Sequence, residues 1–552
     1  MDNIRLFLMF ALAYTGFLLW QAWQEDYGQL PPQVTEQPAV EQAAGSQAVP
    51  EVPTVAAVDS ALPDTPELTT ETAAASGSRL IHVETDKFKI SIDTRGGSMV
   101  SAYLEGYPVS IEQPDVKYQL LGTSPSDYFI AQSGLLSADK DSAPSHEAIY
   151  QAERETYVLV DGSDTLVVDL EWTSAEGLKV TKRYIFSRGS HQIELQHIVS
   201  NNSGQAWNGR EYRQLQRGDP EDTGNALMYT YTGGAIYSQA EKYQKFDFDE
   251  LAEGKLNVDV EDGWYSMMQH YFLAAFVPPR GQTNHFYGKG LANGRYVIGG
   301  YTPAATVEPG AEHIFRGDFY AGPKIQEDMA KIAQGLDLTV DYGWLSMIAQ
   351  PMYWILSWIH GVVHNWGWTI IIFTILIKLV FFKLSETSYR SMANMRKLQP
   401  RIQALKDRYG DDKQRMQQAM MDMYKKDKIN PLGGCLPMLV QMPFFIALYW
   451  VLMESVELRQ APWIWWIQDL SIKDPYFILP IIMGATMFVQ QKLNPAPPDP
   501  MQAKMMMMLP FVFTIMFAFF PSGLGVYWVM TNALSIAQQY VITKRIEAGS
   551  ST

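Results

Sequence analysis

Residues 368–382 read WTIIIFTILIKLVFF, an almost unbroken apolar run with one charge inside it, Lys378. Such a run is too long for an ordinary strand, and at ~1.5 Å per residue it makes a helix of roughly 22 Å. Lys378 lies about ten residues, ~15 Å of helix, after Trp368 and about five residues, ~7.5 Å, before Lys383. A cation at that depth in a bilayer costs ~2.5 kcal/mol or more unless water or a partner reaches it. Two readings stay open at this stage: the amine snorkels along its stem to the headgroups, or it faces a wet cavity.

Further apolar runs at 436–453, 476–489, 505–520 and 523–542 make five candidate spans in this half, and residues 4–20 add a sixth near the start. Residues 21–24 (QAWQ) offer no small-x-small cleavage site, so the first run reads as an uncleaved anchor. The runs at 476–489 and 505–520 are short for a hydrocarbon core near ~30 Å, a mismatch that a locally thinned bilayer can meet. Pro521, Ser522 and Gly523 form a tight turn between two spans.

Charge orients these spans. Residues 24–345 carry 23 basic and 46 acidic side chains, and the remainder carries 20 and 13, which together give the net −16. The connection at 383–428 holds 12 basic and six acidic residues, and Lys544 and Arg545 close the chain. By the positive-inside rule the basic segments and both termini are cytoplasmic, and the acidic part is outside. Within the connection Met392, Met395, Leu398, Ile402, Leu405 and Tyr409 recur at steps of three and four. After a break at Gly410 and Asp412 the period resumes at Met416, Ala419 and Met423, which predicts a helical hairpin.

Residues 25–78 contain no Lys or Arg and almost no large apolar side chain, the composition of a disordered tether. From Arg79 the period becomes two. Phe88, Ile90 and Ile92 alternate with Lys89, Ser91 and Asp93, as do Val168, Leu170 and Trp172, and Ile193 and Leu195, with their polar neighbours. These half-buried strands predict a large antiparallel β-sandwich to about residue 341. Tyr342, Trp344, Ile348, Met352, Tyr353, Ile355 and Trp358 then give an amphipathic helix with one apolar face, containing Pro351 and lying on the outer interface.

No Gly-rich loop ends in Lys-Ser or Lys-Thr, no His pair has metal-ligand spacing on a helix, and no Gly-x-Ser-x-Gly elbow occurs. The pairs His191 and His197, and His270 and His313, read as ordinary sandwich residues. The one cysteine, Cys435, rules out an intramolecular disulfide. No enzyme, cofactor or metal is indicated. Gln441, Gln490, Gln491, Asn532, Ser535 and Gln538 add polar groups to the spans, where single polar residues most often join helix to helix. The Met505–Met508 run suits either plastic packing or contact with varied apolar partners.

Residues 430–437 (NPLGGCLP) and 441–449 (QMPFFIALY) closely resemble the core of the YidC membrane-protein insertase family and its mitochondrial and chloroplast relatives. Residues 457–462 (ELRQAP), 469–471 (DLS) and 520–524 (FPSGL) strengthen the likeness. It covers about 344–545, and the anchor, tether and β domain match the Gram-negative version of the family. The resemblance implies a membrane α-helical bundle of six spans, a large antiparallel β-sandwich periplasmic domain and a cytoplasmic helical hairpin.

It also implies a hydrophilic groove centred on a basic residue, usually arginine, here Lys378. Thr374, Gln441, Gln491, Tyr527 and Trp528 match other groove-lining positions. Lysine keeps the charge but lacks arginine's planar fork. The implied boundaries are anchor 1–23, tether 24–78, β domain 79–341, interfacial helix 342–365, second span 366–384, hairpin 385–430, spans three to six 431–545 and tail 546–552. Implied partners are nascent membrane-protein clients, the Sec translocon, membrane lipids and, transiently, the ribosome, with no direct nucleic-acid contact. Some members carry a long basic tail that binds ribosomes; Glu547, Ala548 and Gly549 after Arg545 do not resemble it, so contact through a tail is not expected. The alternatives are a polytopic transporter, although no internal repeat is visible, and a membrane-anchored carbohydrate-processing enzyme.

Overall fold

The computed structural model describes residues 77–138, 142–219, 230–291, 294–410, 412–427, 436–494 and 500–548. The expected anchor, nearly all of the tether, the NPLGGC motif and the end of the tail lie outside the described residues.

Residues from Leu80 to Pro323 form two sheets. One has 11 strands, the main order being Asn257–Glu261, Thr283–Leu291, Arg295–Tyr301, Trp207–Gly218, Phe129–Ser137, Ser98–Ser110, Phe88–Asp93, Leu80–Glu84 and Thr156–Val158. The other has nine, from Lys242–Phe246 at one edge through Glu312–Pro323, Gln192–Asn201 and Leu178–Ser187 to Gln151–Ala152. Pairing is antiparallel except where Leu80–Glu84 meets Thr156–Val158. Phe88, Ile90 and Ile92 point into the core as their alternation predicts, and join Val168, Leu170, Ile193, Leu195 and Phe319. Each large apolar side chain so buried contributes about 1.5–3 kcal/mol before entropy is set against it. The predicted β-sandwich is therefore present as a large β-rich unit.

Its alternation breaks where charge is buried. In Gln192–Asn201 both Gln196 and His197 are buried, and in Trp207–Gly218 Glu211, Arg213, Gln214, Gln216 and Arg217 are too. Glu211 accepts from His197 Nδ1 at 2.8 Å and from Arg213 Nε and Nη2 at 2.9 and 2.5 Å. Burial pushes its carboxyl up, but Arg213 and His197 hold it below the ordinary value. Lys182, wholly buried, donates to Gly96 O at 2.7 Å and Ser133 O at 3.1 Å. Burial lowers its pKa to about 7.

Among the described residues a short helix, Gln326–Ile332, is followed by eight longer ones: α1 (Ser346–Val363), α2 (Trp366–Val380), α3 (Phe382–Tyr409), α4 (Lys413–Lys426), α5 (Leu436–Glu454), α6 (Ile478–Leu493), α7 (Pro500–Phe517) and α8 (Ser522–Ala548). Asn365 caps α2 by accepting from Trp368 N at 3.1 Å, and Asp412 caps α4 by accepting from Arg415 N at 3.1 Å. Two glycines set helix contacts: a Cβ on Gly367 would lie 2.1 Å from the Trp463 ring, and one on Gly484 would lie 2.0 Å from Thr514 Oγ1. Among the described residues no single helix is long and apolar enough to cross a membrane. The pair α2 and α3 meets that test together, bent by 66° at their junction.

Three expectations change. The break before the predicted hairpin falls at Phe381, not after residue 384, one residue before the apolar run gives way to Lys383. The helices read at 476–489 and 505–520 are shifted, to Ile478–Leu493 and Pro500–Phe517, so neighbouring polar residues are helical. Apolar residues on α1 and just before it do not share one face. Met352 and Tyr353 are buried and Trp354 and Trp358 exposed, because the helix packs on α2 and α5 while a second apolar stripe faces out.

His146, His191 and His270 all have pKa values lowered from 6.5 to about 4, mainly by burial. Between those limits the unfolded chain binds more protons than the folded one, so stability rises with pH across this window. We expect the melting temperature of the full chain in detergent to fall as pH drops from 6.5 towards 4 and to be flat in these groups above 6.5. A melting temperature that does not fall over that interval would contradict the burial of these rings.

Candidate functional site

On α2 the residues Trp366, Thr369, Ile370, Phe373, Thr374 and Lys378 are buried, a stripe at steps of three and four that packs towards α8. Lys378 is 6% exposed, and its Nζ donates to Ser535 Oγ on α8 at 2.8 Å. The amine turns into the bundle and does not snorkel. Ser535 in turn donates to Thr531 O at 2.7 Å, so its hydroxyl is used in both directions. Among the described residues no carboxylate pairs with Lys378. An ammonium has three donors, so one hydroxyl leaves capacity for an anionic guest.

The polar seam extends along the bundle. Ser385 and Ser388 on α3 are buried, and α3 packs against α8 as α2 does. Asn532 on α8 donates to Thr486 Oγ1 on α6 at 3.2 Å. Gln539 donates to Leu493 O and Asn494 Oδ1, each at 3.2 Å. Trp528 Nε1, Gln538 Oε1 and Gln539 Oε1, all on α8, are buried without a hydrogen-bond partner among the described residues. Each such atom in a dry interior costs of order 1–3 kcal/mol, which favours a hydrated or guest-lined seam over sealed packing.

The residues expected at a groove do not all meet. Thr374 lies one turn from Lys378, but its hydroxyl donates at 2.6 Å to Ile370 O of its own helix. Tyr527 and Trp528 lie seven or eight residues before Ser535, ~11 Å along α8. They sit in an aromatic cluster, with Phe445 5 Å or so away: its centroid is 6.1 Å from Tyr527 and 4.5 Å from Trp528, and Phe517 is 4.8 Å from Trp528. Gln441 and Gln491 are half-buried on α5 and α6, and among the described residues neither bonds to Lys378. The sequence reading did not single out Ser385, Ser388, Thr486, Thr531 and Gln539. The four-residue spacing of Thr531, Ser535 and Gln539 was the available signal.

A second polar joint links the helical unit to the β unit. Lys324 Nζ, buried just after the last strand, lies 3.6 Å from Glu454 at the end of α5 and donates to Thr339 O at 3.3 Å. Burial pushes the Lys324 amine below its usual range, and Glu454 partly offsets this. His270 Nε2 lies 2.9 Å from Met453 O, a contact that requires the proton on Nε2. Tyr353 of α1 donates to Glu457 at 2.7 Å. Arg459 donates to Pro108 O and Val109 O at 2.7 and 3.1 Å, and Gln460 to Pro108 O at 2.9 Å. The turn into α8 is sewn to the same loop: Ser522 Oγ donates to Asp469 O at 3.0 Å and to Ile472 O at 2.5 Å.

Lys324→Met strands the Glu454 carboxylate in the joint and should cost about 3–5 kcal/mol. Adding Glu454→Gln should restore most of that loss. Thermal unfolding of the three proteins in detergent checks this, and equal losses in the single and double variants would show that the pair is not coupled.

A family model described as the YidC periplasmic domain matches residues 80–355, and one described as 60Kd inner membrane protein matches residues 358–549. A membrane protein insertase YidC from Thioalkalivibrio sulfidiphilus is 53% identical over 557 residues, covering 99% of each chain. The protein of that name from Methylococcus capsulatus is 49% identical, again covering 99% of each. A crystal structure of an active YidC insertase overlaps 84% of this chain and 94% of its own at 17% identity, with a TM-score of 0.39.

Proposed function

The chain belongs to the YidC family of membrane protein insertases, and from that membership we propose that the seam around Lys378 is the route by which a client's polar segment enters the bilayer. The family is one of non-enzymatic inner-membrane proteins with a β-rich periplasmic domain, and its clients are nascent membrane proteins. The observation that carries the reading is the buried ammonium of Lys378, held by one hydroxyl and no carboxylate among the described residues.

In this reading the polar part of a client enters the seam from the cytoplasm, where Lys378 attracts its acidic groups. Thr374, Gln441, Gln491, Tyr527 and Trp528 line the path. The unpartnered polar atoms on α8 offer hydrogen bonds that lipid cannot, which shortens the dry distance the client must cross. Its apolar segment then leaves sideways into lipid. Transfer at ~0.8 kcal/mol per buried CH₂ supplies the force without nucleotide.

Six spans are proposed: residues 4–20 together with α2, α5, α6, α7 and α8. Both termini and the α3–α4 hairpin lie in the cytoplasm, α1 lies on the periplasmic surface, and residues 24–78 act as a tether. The basic balance of 383–428 supports that orientation. Contacts with the Sec translocon and a transient contact with the ribosome belong to the same proposal, as does membrane lipid around α6 and α7, whose Ile481, Val512 and Ile515 are exposed.

Lys378→Arg should retain insertion, and Lys378→Ala should slow it most for acidic clients. An attraction of about 1–4 kcal/mol at ~4 Å corresponds to roughly fivefold to several-hundredfold in rate. Insertion of single-span clients into vesicles holding each variant measures this, and an unaltered rate for Lys378→Ala would remove the assigned role. Deleting residues 25–73 should leave growth intact, and a defect as severe as loss of the gene would contradict the tether.

A further inference from the structure

The strands Ser98–Ser110 and Gln113–Leu121 form a hairpin whose outer end is held to itself only through Pro108 with Lys117 and Ser110 with Gln113. Its tip exposes Val109, Ile111 and Val116 at 48%, 40% and 50%. Apolar residues on a turn that no strand covers are a contact surface unless something hides them.

The joint fixes the height of this tip. Arg459 and Gln460 hold the carbonyls of Pro108 and Val109 at 2.7–3.1 Å. Two residues before Arg459, Glu457 accepts from Tyr353, in the middle of α1. The hairpin end is therefore tied to the same loop as α1, whose Trp354, Trp358 and Val362 are 64–70% exposed. Trp465, in the same loop as Arg459, is 75% exposed. Three segments far apart in sequence and joined through this loop thus present bare apolar side chains, as expected at a lipid boundary where aromatic rings collect.

We propose that the hairpin tip seats in the headgroup and upper acyl zone of the periplasmic leaflet, giving the β unit a lipid contact of its own. This rests on the reading that α1 lies on that surface. Glu112 and Asp115 against the single Lys117 leave the tip net acidic, so it suits an amine-bearing zwitterionic headgroup over an anionic surface. A separate apolar pair, Val158 and Val160 at 48% and 60% exposed, lies on and beside the edge strand Thr156–Val158 and has no bond to the loop that carries Arg459.

The test uses the full chain with Cys435→Ser and one added cysteine, Ile111→Cys, Trp358→Cys or Val160→Cys, carrying an environment-sensitive fluorophore. Each protein is placed in vesicles of phosphatidylethanolamine and phosphatidylglycerol that contain lipid with a nitroxide high on the acyl chain. Labels at 111 and 358 should be blue-shifted and quenched, the label at 160 should emit as in water, and quenching at 111 should persist when phosphatidylglycerol is replaced by phosphatidylcholine. Quenching at 358 without quenching at 111 overturns the hairpin contact and leaves α1 at the surface. Quenching at neither removes both. Equal quenching at 111 and 160 overturns a contact specific to the tip, and loss of the signal at 111 without phosphatidylglycerol overturns the zwitterionic preference.

Discussion

An ammonium placed among apolar helices costs ~2.5 kcal/mol or more unless polar groups or water surround it, and the helical unit is arranged around that cost. Lys378 meets Ser535, and the polar residues of α2, α3, α6 and α8 gather along the seam that follows. Leu379, Val380, Ile481 and Ile515 are exposed on the outside. The helical unit is apolar in its core and on its outside, with the polar seam between, whereas Phe88, Leu195 and Phe319 fill the middle of the β unit. The two units answer to different solvents, consistent with an insertase that has one part in the periplasm and another in lipid.

The joint between them answers to both. Lys324, His270, Glu454, Glu457 and Arg459 come from either side of the boundary and meet where water is scarce. Charges so placed tolerate little misalignment, because separating them leaves each one desolvated and alone. This stiffens the short stretch that follows α5. The same stretch leads to the loop that fixes the start of α8, so the β unit and the helix carrying Ser535 share a support.

The strands were legible because burial on one face writes a period of two into the sequence, as at Phe88–Asp93. Where the sheets bury ions the period failed: His197 and Glu211 look solvated in sequence, and only their pairing across strands makes burial tolerable. Lys378 stood out because one charge in an apolar run is conspicuous. Its partner did not, since a serine such as Ser535 has the same local pattern whether it faces lipid, backbone or an amine. Gln441 and Gln491 came from family likeness, and neither is bonded to that amine among the described residues. The exposed second stripe of α1 was hidden because a helix between a protein core and a lipid surface is apolar on two sides, and periodicity records only that it is apolar.

The 66° elbow between α2 and α3 turns a 28-residue helix into an arm. At ~1.5 Å per residue the arm is roughly 42 Å long, so a rotation of about 10° at Phe381 sweeps its far end through ~7 Å. The fulcrum is only three residues from Lys378, and displacement there is small. A push on the distal end would therefore act with mechanical advantage, converting a broad movement there into a fine adjustment beside the buried amine.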